Sequence, residues 1–412
     1  MQITVNLDRL LNELEKLASF SGAPAPAVTR VVFSAQDLAA RAYLRELFSE
    51  AALHLRTDAV GNTFARWTGA DPNLAAVGTG SHTDAVPHAG RYDGTVGVLG
   101  GLEAIRALQR SGFRPRRSIE LLVFTSEEPT LFGIGCLGSR LLSGTLAPET
   151  ARQLKNREGQ SLEEILRQAG LHGSLEHVPL ARDYYHAFVE LHIEQGPLLE
   201  RKEIPIGIVT AIAAPATLRV QIEGAGGHAG GMLMPDRHDA FLAAAEIALA
   251  VEAAAKATQS IDSVATTGVC NVFPGAVNSV PSRTVLEIDV RDTDLARRDG
   301  MLATIRAACD EAAAKRQVRV TVEPINADAP AQASPLITQA LTASSQELGL
   351  NFMPMVSRAY HDSLFISRIA PTGMVFIPCR NGYSHRPDEY ASPENIDRGV
   401  QVLAHTLAHL AQ

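Results

Sequence analysis

The chain has 412 residues, 46% of them hydrophobic and 20% charged, a composition typical of a globular protein, and its length exceeds what one hydrophobic core usually supports, so two domains are expected. Its formal net charge of -8 is spread over both signs, and the basic segment Arg114-Pro115-Arg116-Arg117 is too short to track phosphates, which argues against a nucleic-acid partner. Four scattered cysteines without a CxxC pair, an N-terminus without a basic-then-apolar leader, and no continuous apolar run of about 18 residues together predict a cytoplasmic protein with neither a disulfide framework nor a membrane segment.

Along the chain, Leu7, Leu10, Leu11, Leu14 and Leu17 recur at helical spacing and predict an amphipathic packing helix over residues 7–20. Residues 74–81 and 119–126 read as short apolar strands separated by a helical pattern over 94–110. A strand, helix, strand order predicts a right-handed parallel crossover. Polar residues just past those strands then fall at the carboxyl edge, where open α/β sheets bind ligands. Near Ala213 the rhythm changes to a strand (216–223), a helix (236–257), strands (266–273 and 284–291), a helix (294–315) and a strand (318–322). This β-α-β-β-α-β order is a small domain in itself. A helix over 334–348 and an apolar strand over 373–378 follow. The expected organisation is a domain of residues 1–212 and 327–412, interrupted by an inserted α+β domain of residues 213–326.

Residues suited to chemistry cluster at the predicted strand ends. In Ser81-His82-Thr83-Asp84, a divalent ion could hold His82 while Asp84 hydrogen-bonds the other imidazole nitrogen. An ordinary polar loop is the competing reading, and for an isolated His-x-Asp the commoner one. Asp93, read singly before a helix, is an N-cap. Glu127-Glu128 start where a strand leaves the sheet, so one can bind metal while the other acts as a base, or both are solvated turn residues. His192 lies on an apolar strand-like segment, where a lone histidine is more often a hydrogen-bonded core residue than a ligand. His385 follows the last apolar strand in a loop, and His228 sits in the glycine run Gly226–Gly231, a close-approach loop or a flexible turn. Asn278 and Arg291 fall in the insert, where Arg291 suits a substrate carboxylate or a surface ion pair.

Taken together, GSHTDAVPHAGRYDGTVGVLGGLEAI, FTSEEPTLFGIGCLGSRLL, ELHIEQGPLLE, GGHAGGMLMPDRHDA, NSVPSRTVLEIDVRD and YSHRPDEY resemble, in order and over nearly the whole chain, the M20 metallopeptidase and amidohydrolase superfamily, in its amidase, hydantoinase and carbamoylase branch. The resemblance implies an α/β fold: a zinc-peptidase-like catalytic domain with a mixed, largely parallel sheet, interrupted by a smaller ferredoxin-like lid domain that carries a homodimer interface. It implies two divalent ions per subunit, Mn²⁺ or Zn²⁺, with Asp93 bridging them, His82 and His192 completing one site, and Glu128 and His385 the other. Glu127 is then the general base, Asp84 the partner of His82, and His228 an oxyanion stabiliser reaching across the dimer. Gln195, Asn278 and Arg291 position the substrate, Arg291 taking its carboxylate.

Within the branch, Pro129-Thr130 and Ala359-Tyr360-His361-Asp362 replace glycine-containing strings of carbamoylases and allantoate amidohydrolases. With IPCRNGYSHRPDEYASPE they look most like the ureidoglycolate-cleaving members, in which Tyr360 and His361 line the substrate pocket. The expected reaction is hydrolysis of a linear ureido C–N bond in a small carboxylate, ureidoglycolate to glyoxylate, ammonia and carbon dioxide in purine catabolism. N-carbamoyl-L-amino acids or allantoate are the alternative substrates, and a catalytically dead binding protein is the reading from another class.

Overall fold

The computed structural model describes residues 3–412. Two compact units divide the chain: Met1–Thr210 with Gln332–Met355 and His361–Gln412, and Ala211–Ala331 with Val356–Tyr360.

In the larger unit, α1 (Leu7–Ser19) is started by the Asn6 side chain, which accepts from the Arg9 N–H, and it buries Leu10, Leu14 and Leu17. Each of those leucines contributes about 1.5–3 kcal/mol through burial. Next come α2 (Ala35–Glu50), β1 (His54–Thr57), β2 (Thr63–Trp67), β3 (Ala76–His82), α3 (Thr95–Arg110), β4 (Ile119–Phe124), α4 (Leu137–Ser143), β5 (Tyr185–Ile193) and β6 (Ile206–Ile212). In the smaller unit follow β7 (Ala214–Glu223), α5 (Ala240–Ala257), β8 (Val264–Phe273), β9 (Arg283–Asp292), α6 (Leu295–Arg316) and β10 (Arg319–Ala327). The chain then returns through α7 (Pro335–Glu347), β11 (Thr372–Ile377) and α8 (Pro393–Leu410).

Seven strands of the large sheet run in the order β6-β11-β5-β3-β4-β2-β1. Its four central strands are parallel, and antiparallel partners flank them. β3, β4 and β11 are buried along their whole length, which explains why they read as continuous apolar runs and not as alternating ones. Parallel register sets His82 beside Phe124 and His192 beside Phe376. The ends of β3, β4, β5 and β11 therefore lie side by side, and the segments leaving them converge.

The smaller unit forms an antiparallel sheet in the order β8-β9-β7-β10, the ferredoxin-like arrangement. Leu218, Val220, Ile222, Leu286, Ile288 and Val290 pack on Ala243, Ile247, Val251, Met301 and Ile305 of α5 and α6. α5 begins four residues later than the sequence pattern predicts. Its N-cap is Asp239, whose carboxylate accepts from the N–H groups of Phe241 and Leu242, while Met234–Asp236 form a separate turn.

Candidate metal centre and active site

Five expected ligands meet at the carboxyl edge of the large sheet. Asp93 Oδ1 lies 3.1 Å from His192 Nε2 and 3.6 Å from His82 Nε2. Its Oδ2 lies 3.1 Å from His385 Nε2, which is 3.3 Å from Glu128 Oε1. The donor atoms of His82, Asp93 and His192, and those of Asp93, Glu128 and His385, lie within 4.8 Å of one another in each group. One carboxylate thus presents its two oxygens to two different donor sets, an arrangement that fits a pair of divalent ions. Asp93 is not an N-cap: that position belongs to Gly94, whose φ of 65° is left-handed and whose absent Cβ would stand 2.5 Å from the His82 ring.

Both buried imidazoles are set to present Nε2. His192 Nδ1 is 2.9 Å from the carbonyl of Ile193, and His82 Nδ1 is 3.0 Å from the carbonyl of Asp84. A proton held at Nδ1 by a carbonyl leaves Nε2 as the ligand atom. The expectation that the Asp84 carboxylate would orient His82 is corrected by this geometry. Asp84 Oδ1 is 3.8 Å from that nitrogen, and the carboxylate accepts instead from the backbone N–H groups of Glu127 (3.2 Å) and Glu128 (3.0 Å). Asp84 fixes the segment carrying the two glutamates, and its backbone fixes the histidine.

Electrostatics divide the carboxylates. Burial acts to raise Asp93, but hydrogen bonds from His192, His385 and His82 outweigh it and hold Asp93 well below the usual carboxylate range. Burial, aided by Glu128, Asp362 and Asp93, pushes Glu127 well above that range, as a proton-accepting group needs. Glu128 is raised to about 7 by burial and by Asp93, and the hydrogen bond to Asp93 raises His385 to about 9. Glu127 Oε2 lies 3.8 Å from His82 Nε2, on the ligand side of the cluster.

Glu389, Ser384, Glu190 and Arg30, which sequence reasoning left without a role, surround these ligands together with Gln195 and His361. Glu389 Oε1 accepts from the N–H groups of Tyr92 (2.8 Å) and Asp93 (3.1 Å), and Ser384 Oγ lies between Glu389 Oε2 (2.9 Å) and Asp93 Oδ2 (2.7 Å). Gln195 Nε2 donates to Asp93 Oδ2 at 2.8 Å, so this side chain, expected on the substrate, braces the shared carboxylate. Beneath His192, buried Glu190 accepts from Ser81 and Ser363. The guanidinium of Arg30, fully buried, donates to the carbonyl of Thr83, between His82 and Asp84. His361 is buried with its ring centroid 4.5 Å from that of His192 and 5.8 Å from that of Phe376.

The remaining candidates belong to the smaller unit. Gly227–His228 pairs with Ser279–Val280 as a two-residue strand, which sets exposed His228 beside Asn278, and His228 Nδ1 accepts from the Gly230 N–H at 3.1 Å. Arg291 donates to Asp289 at 2.6 Å, so the ion-pair reading holds for its Nε, and its guanidinium carbon lies 5.7 Å from the Tyr360 ring.

A chain with this sheet and this donor set is a metal-site hydrolase of the M20 kind, and residues 78–409 match the model of peptidase family M20/M25/M40. The chain belongs to that family, in its hydantoinase/carbamoylase branch. It is 51% identical to the ureidoglycolate hydrolase of Arabidopsis thaliana, over 99% of this chain and 87% of that relative. It is 36% identical to the N-carbamoyl-L-amino acid amidohydrolase of Geobacillus stearothermophilus, over 98% of each. A crystal structure of AtUAH in complex with glyoxylate superposes with a TM-score of 0.92 at 51% identity, covering 99% of this chain and 98% of that one. Among the described residues no helix is long and apolar enough to cross a membrane.

Proposed function

We propose that this chain hydrolyses ureidoglycolate at its ureido C–N bond. The observation that carries the reading is the 51% identity over 99% of the chain to a ureidoglycolate hydrolase, combined with a complete donor set around Asp93. His82, Asp93 and His192 would hold one divalent ion and Asp93, Glu128 and His385 a second. Such ions, when bound, polarise a carbonyl and bring the pKa of an attacking water from 15.7 to about 7.

The side chains supply the rest. Glu127, with its raised proton affinity, takes the proton of the attacking water and passes it to the departing nitrogen. Cleavage gives a carbamate, which decays to ammonia and carbon dioxide, and a 2-amino-2-hydroxy acid, which loses ammonia to become glyoxylate. Arg291 pairs with the substrate carboxylate, Asn278 and the Oε1 of Gln195, whose Nε2 braces Asp93, orient the substrate, Tyr360 and His361 line its pocket, and His228 donates to the oxyanion across a homodimer formed through the inserted domain.

Initial rates of ammonia release from ureidoglycolate, allantoate and a panel of N-carbamoyl-L-amino acids test the substrate. Ureidoglycolate is expected to be turned over fastest. No ammonia from it, with turnover of an N-carbamoyl-L-amino acid, would shift the assignment to the activity named for the 36% identical relative.

A further inference from the structure

Glu127 has two oxygens with different surroundings. Oε2 faces His82, while Oε1 lies 3.6 Å from the sulfur of buried Cys136, within the longer reach of a thiol donor. We propose that the Cys136 thiol is a positioning residue for the general base: its S–H donates to Oε1 and thereby turns Oε2 toward the water that it must deprotonate.

Three further observations support the assignment. First, Cys136 occupies the N-cap of α4 in the left-handed region, with φ of 56°, where glycine would be cheaper. A side chain is nevertheless kept there, and this one touches Glu127. Second, the first N–H groups of α4 are tied to the segment that carries the base: Cys136 N–H donates to the Glu127 carbonyl, Leu137 to Ser126 and Gly138 to Thr125, at 2.8–2.9 Å. Helix and base therefore move as one piece, so the thiol is held at a fixed distance. Third, burial and the neighbouring Glu127 and Asp362 carboxylates push the thiol well above its ordinary value, which keeps it protonated and makes it a donor, not a nucleophile. A thiol is a weak donor, so it steers the carboxylate while withdrawing less basicity than a hydroxyl would.

The inference rests on Glu127 being the base, and its test separates the two ideas. Cys136→Gly removes the thiol and relieves the backbone, so its folding is protected. It is expected to lower kcat about fivefold with KM unchanged, and Cys136→Ser to recover most of the loss. A glycine variant with the parental kcat would overturn the role. Where ureidoglycolate is not a substrate, the same comparison is made on whichever N-carbamoyl-L-amino acid is turned over. An activity-free measurement runs beside it: the infrared S–H band of Cys136, isolated by difference against Cys136→Gly, is expected to shift on Glu127→Ala. An unmoved band would overturn the contact itself. If the band shifts while Glu127→Gln retains full turnover, the base assignment fails and the contact stands.

Discussion

The two units handle polar side chains in opposite ways. In the larger unit His82, Asp93, Glu128 and His192 are buried, touch one another, and are braced by Asp84, Glu389, Ser384 and Gln195. In the smaller unit His228 and Asn278 are exposed, and the core between sheet and helices is an apolar layer, with buried polar residues such as Asp292 and Arg298 lying outside it. A buried charge is tolerated where partners surround it, and the proposed ligand set draws all its members from the larger unit. The smaller unit offers side chains whose chemistry needs something added from outside. On the proposed mechanism metal affinity belongs to the larger unit, while His228 serves only transition-state stabilisation.

The strongest challenge to that division is Asp93→Ala. Removing the carboxylate that faces both donor sets is expected to strip both ions and lower activity on the order of 10⁴-fold, read as metal per chain and as kcat. Full metal content in that variant would mean that Asp93 is not shared. Glu127→Gln should leave metal per chain unchanged while kcat falls about 10²–10⁴-fold, because the amide cannot accept the proton.

His228→Ala examines the other side of the comparison. If this exposed histidine donates to developing charge, activity is expected to fall about 10²–10³-fold with metal content and melting temperature unchanged. Loss of metal on this substitution would erase the division of labour. Mixing His228→Ala with Glu127→Gln subunits should restore some turnover if the histidine serves a partner's site, and no recovery would confine it to its own chain.

Much of this was legible in the sequence because it lay in periodicity and in strand ends. The apolar runs at 74–81 and 119–126 predicted β3 and β4 and, through them, where His82 and Glu127-Glu128 leave the sheet. The edges were less legible: β1 is exposed at all four residues and carries no alternation. Long-range polar contacts were least legible. Glu389 bonds an N–H 297 residues earlier, and nothing in its neighbours' types announces that. Asp84 shows the limit most sharply. Spacing placed it near His82, but whether carboxylate or carbonyl faces the ring depends on the backbone path after β3, which spacing does not encode.

Asp84→Asn turns that correction into a smaller, measurable effect. The carboxylate accepts from two backbone N–H groups, and an amide offers one oxygen and one clashing NH₂. The expected cost is about 1–3 kcal/mol in stability, by denaturant unfolding, with a drop in kcat as the Glu127-Glu128 segment loosens. Unchanged stability with reduced metal affinity would favour a direct role on His82.

Proton release on metal binding is the mildest probe, and it reads the ligands of the larger unit directly. Without metal, Glu128 titrates at about 7 and His385 at about 9. Both values lie above those of the free side chains, so at pH 6 both groups are largely protonated, and both must lose their protons to bind a cation. Apparent affinity should accordingly rise with pH from about 6, gain less once Glu128 is ionised, and level off above about 9. Calorimetric titration of stripped protein in buffers of different ionisation enthalpy should count more than two protons released at the acid end, because burial of His82 and His192 is outweighed by neighbouring carboxylates that raise both imidazoles as well, and fewer at the alkaline end. An affinity that falls with pH over this window, or no proton release at all, would remove Glu128 and His385 from the ligand set and leave the second donor group without its two distinguishing members.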